Sequence, residues 1–273
     1  MDAAPSTRVR YPDPGAIFAT TAAPYVRYRP GHPRVLLDYV TDLARSCGNS
    51  RPVMDLGCGP GPIALHLAER GIDVIAVDPN TDMLTAGQQL AADRRVTRIQ
   101  WRTADSAQLA DMPMVRAVTI GDAFHYMDRD QTLTDLDAIV GPGGFVAVLV
   151  SHALGTPKPW WETVLDRLRD RHLGTHRHAG PGTLFHYLAE DHETVLRRSG
   201  FSRLRVLRCD YAVGLTLEEL AGLQYTYAFS SPAVLGNRRE RYECDVRAAL
   251  SAAEPSEWFT ATLQAQLIIG GRP

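Results

Sequence analysis

The stretch Val53–Gly61, which reads VMDLGCGPG, restricts the fold of this chain more than any other part. A short apolar run leads into glycines at positions 57, 59 and 61, and helical apolar spacing follows from Ile63. The pattern predicts a strand, a tight turn and a helix in that order. Glycine lets the backbone turn sharply and approach a ligand without an intervening Cβ. The turn would deliver that ligand to the N-terminus of the helix.

Two acidic residues accompany this turn. Asp55 lies just before the first glycine, and Asp78 ends the next apolar run, Val74–Val77. An acid at the end of the second strand, about twenty residues after the glycines, is where nucleotide-binding folds hold ribose hydroxyls. The two acids therefore indicate a nucleotide-like ligand at this edge of a parallel sheet.

Composition excludes several classes of protein. The chain has 273 residues with 45% hydrophobic and 22% charged side chains, which is ordinary for one large soluble α/β domain. A net charge of -2 argues against nucleic acid or an anionic membrane as the main partner. No apolar run has the length of a membrane span, and the N-terminus lacks signal-peptide features. Four scattered cysteines without a CxxC pair indicate free thiols, so we expect a cytoplasmic protein.

The segment Asp55–Gly61 resembles the first motif of the class I S-adenosylmethionine-dependent methyltransferases of the small-molecule type. Nicotinamide-binding loops are less similar, because they lack the preceding acid and space the third glycine further out. A carboxylate at Asp55 would attract the ammonium and sulfonium of S-adenosylmethionine and repel the pyrophosphate of a dinucleotide. The resemblance covers residues 50–150 well, the N-terminal arm and end strands more loosely, and residues 152–190 hardly at all.

The resemblance implies an α/β fold with a Rossmann-like, doubly wound, seven-stranded sheet whose last strand is antiparallel, and a helical cap insertion is expected beside it. We expect a single domain. Its parts are an N-terminal arm or lid over residues 1–30 (irregular up to residue 24), a cofactor-binding half over 31–151, a cap insertion over the substrate at 152–190, and a C-terminal part of the sheet with further cap helices at 191–273. The third strand is predicted at 96–101 and the sixth at 201–209.

The family's cofactor contacts carry over to matching positions of this sequence. Gly57, Gly59 and Gly61 would lie against the methionine and ribose, and Asp78 would hold the ribose hydroxyls. The remaining implied cofactor contacts are Tyr28 and Arg29 of the arm, Asp55, Met83, Asp105 with Ser106 at the adenine, and Gly121 after the fourth strand. Ordinary interpretations stay open: a helix-capping aspartate at 105, a core methionine at 83, and a stacked Arg/Tyr pair on the surface of the arm.

The segment after the fourth strand, Gly121–Asp128, should face the cofactor, because ligands bind beyond the carboxyl ends of parallel strands. Many small-molecule methyltransferases have a His-Trp pair where this chain has His125-Tyr126. His125 is the candidate general base, oriented by Asp122 or Asp128, although a histidine that only shapes the pocket fits equally well. The expected substrate pocket consists of Tyr25, Tyr126, Trp160, His178 and His186. No metal is expected, because no acid or cysteine completes a site with the histidines of 172–186.

The function implied is transfer of a methyl group from S-adenosylmethionine to a small organic acceptor, in specialised metabolism. We expect no nucleic-acid or membrane partner, and a monomer or homodimer. Two alternatives remain: a nicotinamide-dependent oxidoreductase, and a protein of the same fold that binds the cofactor without methylating, for example in a cyclisation.

Overall fold

A computed structural model describes residues 11–48, 50–153 and 155–273. Their strands form one seven-stranded sheet in the order β3-β2-β1-β4-β5-β7-β6. Neighbouring strands are parallel from β3 to β5, whereas β7 runs antiparallel to both β5 and β6. The strands are β1 (Val53–Leu56), β2 (Val74–Asp78), β3 (Ile99–Thr103), β4 (Val115–Gly121), β5 (Val140–Val150), β6 (Arg203–Thr216) and β7 (Trp258–Gly271).

Helices cover both faces of this sheet. Those of the described residues are α1 (Ala22–Tyr28), α2 (Arg34–Ser46), α3 (Pro62–Glu69), α4 (Thr81–Asp93), α5 (Arg129–Ile139), α6 (Trp161–Leu173), α7 (His192–Arg197), α8 (Leu217–Leu223), α9 (Pro232–Leu235) and α10 (Arg239–Ala253). On one face, α2 and α3 bury Val40 and Leu67 against β1 and β5. On the other, α5 and α7 bury Leu136 and Val195. Burial on both faces explains why β1, β2 and β4 are buried at successive positions rather than at alternate ones.

The predicted fold is confirmed, including the antiparallel last strand. Two strand boundaries were wrong. β3 begins at Ile99 rather than at 96, and β6 continues to Thr216 instead of ending at 209. β3 is an edge strand that pairs only with β2, and β6 alternates between exposed and half-buried residues. Such strands lack the continuous apolar run that marks β1 and β2, so their ends are hard to find from sequence.

A separate apolar cluster forms beyond the ends of β6 and β7. Its buried residues come from α6, α8, α10 and β7, with Leu165, Leu220, Leu250 and Phe259 at 0% exposure. The predicted insertion therefore contributes only α6 to this layer, while α8 and α10 come from the C-terminal part of the chain. We call α6, α8 and α10 together the cap.

The N-terminal arm packs closely on the body from residue 11 onward. Tyr11 and Ile17 are buried, and α1 begins at Ala22, so the expectation of an irregular arm up to residue 24 was wrong for residues 22–24. The part of the arm before Tyr11 lies outside the described residues. No helix in the described ranges combines the length and apolar character needed to cross a membrane.

Candidate active site

One cavity of about 100 Å³ lies beyond the carboxyl ends of β1, β2 and β4. Residues predicted to bind the cofactor dominate its lining: Gly57, Gly59, Asp78, Met83, Asp105, Ser106 and Gly121. Tyr25 and Tyr126, which were assigned to the substrate pocket, line it as well. We call it the cofactor cavity. Pro14, Ile17 and Phe18 of the arm also line it, and its volume is below the usual ~300–1,000 Å³ of ligand sites.

Asp78 is held in place by the glycine-rich turn itself. Its Oδ2 accepts a hydrogen bond from Gly59 N at 2.8 Å, and its Oδ1 accepts one from Asn80 N at 2.9 Å. Burial raises the pKa of this carboxyl, while the two backbone donors oppose that shift. Each carboxylate oxygen has a second lone pair, so the pre-oriented group retains acceptor capacity for ligand hydroxyls.

The three glycines of the turn serve different purposes, although all have positive φ. A Cβ on Gly57 would lie 2.6 Å from Ala123 Cβ, and one on Gly61 would lie 2.6 Å from Trp101 Cη2. Neighbouring side chains therefore leave no room for a side chain at Gly57 or Gly61. A Cβ on Gly59 would meet nothing within 4 Å, and Gly59 lines the cofactor cavity. Gly59 is thus where the backbone is open to a ligand, whereas Gly61 lies outside the lining.

Asp55 faces away from the cofactor cavity. Its Oδ2 accepts a hydrogen bond from Ala64 N in α3 at 3.0 Å, and its Oδ1 accepts one from Thr119 Oγ1 in β4 at 2.8 Å. Burial raises its pKa to about 7. The Asp55 carboxyl therefore connects the glycine-rich turn to α3 and β4, and it lies outside the lining of the cofactor cavity.

Asp105 and Met83, which were expected to contact the cofactor, each have a structural role and also line the cofactor cavity. Asp105 lines the cofactor cavity, and its Oδ1 also accepts a hydrogen bond from Ala107 N at 2.8 Å as the cap of a short 3-10 helix. Met83 is 2% exposed, so it is a core residue whose surface reaches the cavity. In both cases the ordinary interpretation and the cofactor interpretation are compatible.

The arm residues Tyr25, Tyr28 and Arg29 lie in three different environments. Tyr25 lines the cofactor cavity, whereas Tyr28 lies outside it, packed on Gly222 of α8 with its hydroxyl 3.2 Å from Glu218 Oε1. Arg29 lines a second, larger cavity. Its guanidinium lies between two aromatic rings, 5.5 Å from the centroid of Tyr25 and 4.9 Å from that of Tyr227.

The second cavity has a volume of about 800 Å³ and lies between the sheet and the cap. We call it the acceptor cavity. Its apolar lining includes Val150, Trp161, Phe185, Leu188, Tyr211, Val213, Leu215, Tyr227, Phe229, Leu263 and Ile268, and its titratable lining includes Arg29, Asp122, His125, His152, Glu162, Arg169 and His192. The volume and the mixture of apolar surface with a few polar groups are typical of a site for a small organic molecule.

Asp122 lines both cavities and marks their junction. It is a non-glycine residue with φ 49°, directly after β4. Its Oδ1 accepts a hydrogen bond from Ser151 N at 2.9 Å, and its Oδ2 accepts one from Ser151 Oγ at 2.6 Å. Burial disfavours its ionisation, but His32, Arg29 and the Ser151 hydrogen bonds outweigh that effect and lower its pKa. A negative charge is therefore fixed where the two cavities meet.

His125 lines the acceptor cavity, as expected of a residue that meets the acceptor. Its ring packs at a tilt of 45° against the ring of Tyr126, with the centroids 4.2 Å apart, and burial lowers its pKa to about 4. Neither predicted acid orients it, since Asp122 binds Ser151 and Asp128 caps α5 by accepting from Gln131 N at 3.2 Å. At neutral pH His125 is therefore an uncharged imidazole that can accept a proton, with low basicity.

Three residues predicted for the substrate pocket line neither cavity. Trp160 is 43% exposed and stacks on Phe259 at 5.9 Å. The ring of His186 packs on Tyr11 at 5.4 Å, and His178 forms an isolated bridge with Leu184. The indole that does line the acceptor cavity is Trp161, which is 2% exposed. Trp160 and Trp161 are adjacent in the chain, and only the buried one lines the cavity.

His192 and Ser151 are cavity residues that the sequence did not single out. Ser151 directly follows β5 and His192 is the first residue of α7, so position at an element end was the available signal. Among the described residues, no group of three or more histidine, cysteine, aspartate or glutamate side chains is arranged to hold a metal ion.

Comparison with known proteins supports the family indicated by the turn. Residues 53–144 match the family model described as "Methyltransferase domain". An uncharacterized methyltransferase of Mycobacterium tuberculosis is 31% identical over 163 residues, which cover 60% of this chain and 57% of that relative. The chain thus matches little more than half the length of this relative. A ubiquinone biosynthesis O-methyltransferase of Acinetobacter baumannii is 28% identical over 182 residues, covering 64% of this chain and 68% of that protein.

The fold is also shared with solved structures. A protein from Anaeromyxobacter dehalogenans, proposed to be a type II methyltransferase, superposes with a TM-score of 0.55 over 90% of this chain and 98% of its own, at 22% identity. The matched domain, the curated relatives and the sheet topology support the resemblance of the chain to the class I S-adenosylmethionine-dependent methyltransferases. The resemblance drawn from Asp55–Gly61 is confirmed at the level of the family.

Proposed function

We propose that the protein transfers a methyl group from S-adenosylmethionine to a hydroxyl oxygen of a small organic acceptor. The observation that carries the proposal is the junction of two cavities at Asp122. One cavity is formed by the glycine-rich turn and the ends of β2 and β4, and the other is large, apolar and enclosed by the cap. Cofactor and acceptor bound there would meet beside His125 and Arg29.

The residues of the cofactor cavity fit S-adenosylmethionine. Gly59 opens the backbone to the ligand, Asp78 offers oriented acceptors for ribose hydroxyls, and Asp105 with Ser106 lies where the adenine would bind. When bound, the cofactor supplies a methyl carbon that forms a bond to the acceptor oxygen as its bond to sulfur breaks and leaves the electron pair on sulfur. Asp78 does not by itself distinguish this cofactor from a dinucleotide, because dinucleotide-binding folds also hold ribose hydroxyls with an acid at the end of the second strand.

The protein's own contribution is alignment, exclusion of water and removal of a proton. Residues of the cap line the acceptor cavity, and residues of the arm line the cofactor cavity. His125, uncharged at neutral pH, would accept the proton of the acceptor hydroxyl as the new bond forms. The name of the ubiquinone biosynthesis relative supports oxygen as the acceptor atom. A role in specialised metabolism fits a wide, enclosed acceptor cavity, and a cytoplasmic location remains part of the proposal.

A direct test incubates the purified chain with S-adenosylmethionine carrying a deuterated methyl group and a panel of phenols, amines and carboxylic acids. Mass spectrometry then follows S-adenosylhomocysteine and the labelled product. Label on a phenolic oxygen would support the proposal. Binding of the cofactor without turnover on any class would favour the non-methylating alternative, and preferential binding of NAD would favour the oxidoreductase.

A further inference from the structure

His192, at the start of α7, is tied to a buried arginine. Arg129, at the start of α5, places Nη1 3.3 Å from His192 Nδ1 and donates from the same atom to Glu190 O at 3.0 Å. Arg129 is 6% and His192 9% exposed. The histidine ring also packs on Phe124 at 5.3 Å, next to His125 in the chain. These contacts fix the position of the ring in the wall of the acceptor cavity.

The arginine fixes the tautomer of His192. A guanidinium has donors only, so His192 Nδ1 must accept in this hydrogen bond, and the ring proton must lie on Nε2. His192 Nε2 has no hydrogen-bond partner among the described residues. His192 Nε2 is not one of the fully buried polar atoms that lack a partner, so it retains solvent-accessible surface. The one polar hydrogen of this ring is thus free to meet a ligand.

His192 also stays uncharged. Burial, together with the smaller effects of His125 and Arg129, lowers its pKa to about 3. A second ring proton would have to lie on Nδ1 and face the N–H of Arg129, which is unfavourable. His125 and His192 therefore present different groups to the acceptor cavity: His125 can accept a proton, and His192 can donate a hydrogen bond.

We propose that His192 binds the acceptor through an Nε2–H donor whose direction Arg129 sets, and that the acceptor is an aromatic molecule with a carbonyl oxygen beside the hydroxyl to be methylated. The inference rests on the proposed function and adds the class of substrate. An aromatic compound matches the lining by Trp161, Phe185 and Phe229. A phenolic hydroxyl suits a base of low basicity better than an alcohol does, because it releases its proton more readily.

The first test measures the tautomer without any acceptor. Nitrogen-15 NMR of histidine-labelled protein, with His192→Gln used for assignment, distinguishes protonated from unprotonated ring nitrogens at pH 7. We expect a single form of His192 with the proton on Nε2. Arg129→Lys, which keeps a donor, should preserve this form, and Arg129→Met should give a mixture. A proton on Nδ1 in the native protein would overturn the proposal.

The second test measures recognition in the presence of S-adenosylhomocysteine. The probes are ortho-hydroxybenzophenone and ortho-benzylphenol, which differ only in having a carbonyl or a methylene between the rings. We expect the native protein to bind the ketone about tenfold more tightly. His192→Phe should lose this preference, His192→Gln should keep it because its amide supplies an N–H, and the exposed His176→Phe should leave it unchanged.

The outcomes separate this inference from the proposed function. Equal affinity for the two probes in the native protein, or an unaltered preference in His192→Phe, would overturn the role of His192. Cofactor binding and methyl transfer to another phenol would then still stand. A carbonyl preference that depends on His192 in a protein that never binds S-adenosylhomocysteine would instead refute the methyltransferase proposal and leave the recognition of the carbonyl intact.

Discussion

Arg29 and Asp122 face each other where the two cavities join, with Arg29 Nη2 3.7 Å from Asp122 Oδ2. Both side chains are largely buried, at 20% and 17% exposure. Asp122 directs its close hydrogen bonds to Ser151 rather than to Arg29, and the carbonyl of Ser151 accepts a hydrogen bond from Tyr211 at 2.8 Å. One strained aspartate thus connects the end of β4, the end of β5 and the wall of the acceptor cavity.

We predict that Asp122→Ala lowers the free energy of unfolding by about 2–4 kcal/mol, because it removes charge-assisted hydrogen bonds to Ser151 and leaves alanine at φ 49°. Asp122→Asn should cost less than half as much, since asparagine tolerates the left-handed region. Urea denaturation measures both. Asp128→Ala is the matched control and should cost about 1 kcal/mol as the loss of a helix cap. A cost for Asp122→Ala no greater than for this control would contradict the account.

The second prediction concerns His125. His125→Ala should bind S-adenosylhomocysteine like the native protein and lose about a hundredfold in kcat, the usual contribution of a positioned base. Because burial lowers the pKa of His125 to about 4, its uncharged form predominates above that pH. In the native protein kcat/KM should therefore rise as pH increases through about 4, and His125 should cause no further change between roughly pH 6 and 8. The exposed His176→Ala is the control. Retention of most activity by His125→Ala would show that the base lies elsewhere.

A third prediction concerns the arm residues that line the cofactor cavity. Pro14, Ile17 and Phe18 line a cavity of only about 100 Å³, which is small for a ligand site, so the arm should open for the cofactor to enter and close afterwards. Hydrogen exchange at residues 15–18 should be fast in the free protein and at least several-fold slower with S-adenosylhomocysteine. Exchange in α10, which lies in the cap, serves as the reference. Equally slow exchange in the arm with and without ligand would argue against a lid.

Asp55 should make stability depend on pH. Its pKa is about 7 in the folded protein and 3.8 as a model group, so the folded state holds the proton more tightly than the unfolded state does. The free energy of unfolding of the native protein, relative to that of Asp55→Asn, should therefore fall as pH rises from about 4 to 7 and level off above 7. The total change should be on the order of 4 kcal/mol. Urea denaturation at several pH values checks this, and a constant difference would refute the shift.

The sequence predicted the cofactor half of the site better than the acceptor half. Residues 53–83 form consecutive strand, turn and helix, so local apolar patterns and the glycines suffice to place Gly59 and Asp78. The acceptor cavity depends on contacts between distant segments: α6 and α8 meet in the cap, and Arg129 reaches His192 across 63 positions of the chain. No local pattern records such pairings. The choice between Trp160 and Trp161 likewise needed their burial in the folded protein, where Trp160 is exposed and Trp161 is buried.

Asp55 shows a second limit of prediction from the sequence. The motif marked the residue as important, and electrostatics suggested contact with the ligand. The structure directs its carboxylate to Ala64 N and Thr119 Oγ1, so its placement could be recognised from sequence while its hydrogen-bond partners could not.

Cofactor binding tests the central claim most directly. Calorimetric titration should show that the native protein binds S-adenosylhomocysteine at one site per chain and binds NAD much more weakly or not at all. Asp78→Ala should weaken this binding more than tenfold, because hydrogen bonds to a charged group contribute about 1.5–3 kcal/mol each. Asp82→Ala, an exposed acid on the first turn of α4, should bind like the native protein. Tight NAD binding, or unchanged affinity for S-adenosylhomocysteine in a folded Asp78→Ala variant, would contradict the account.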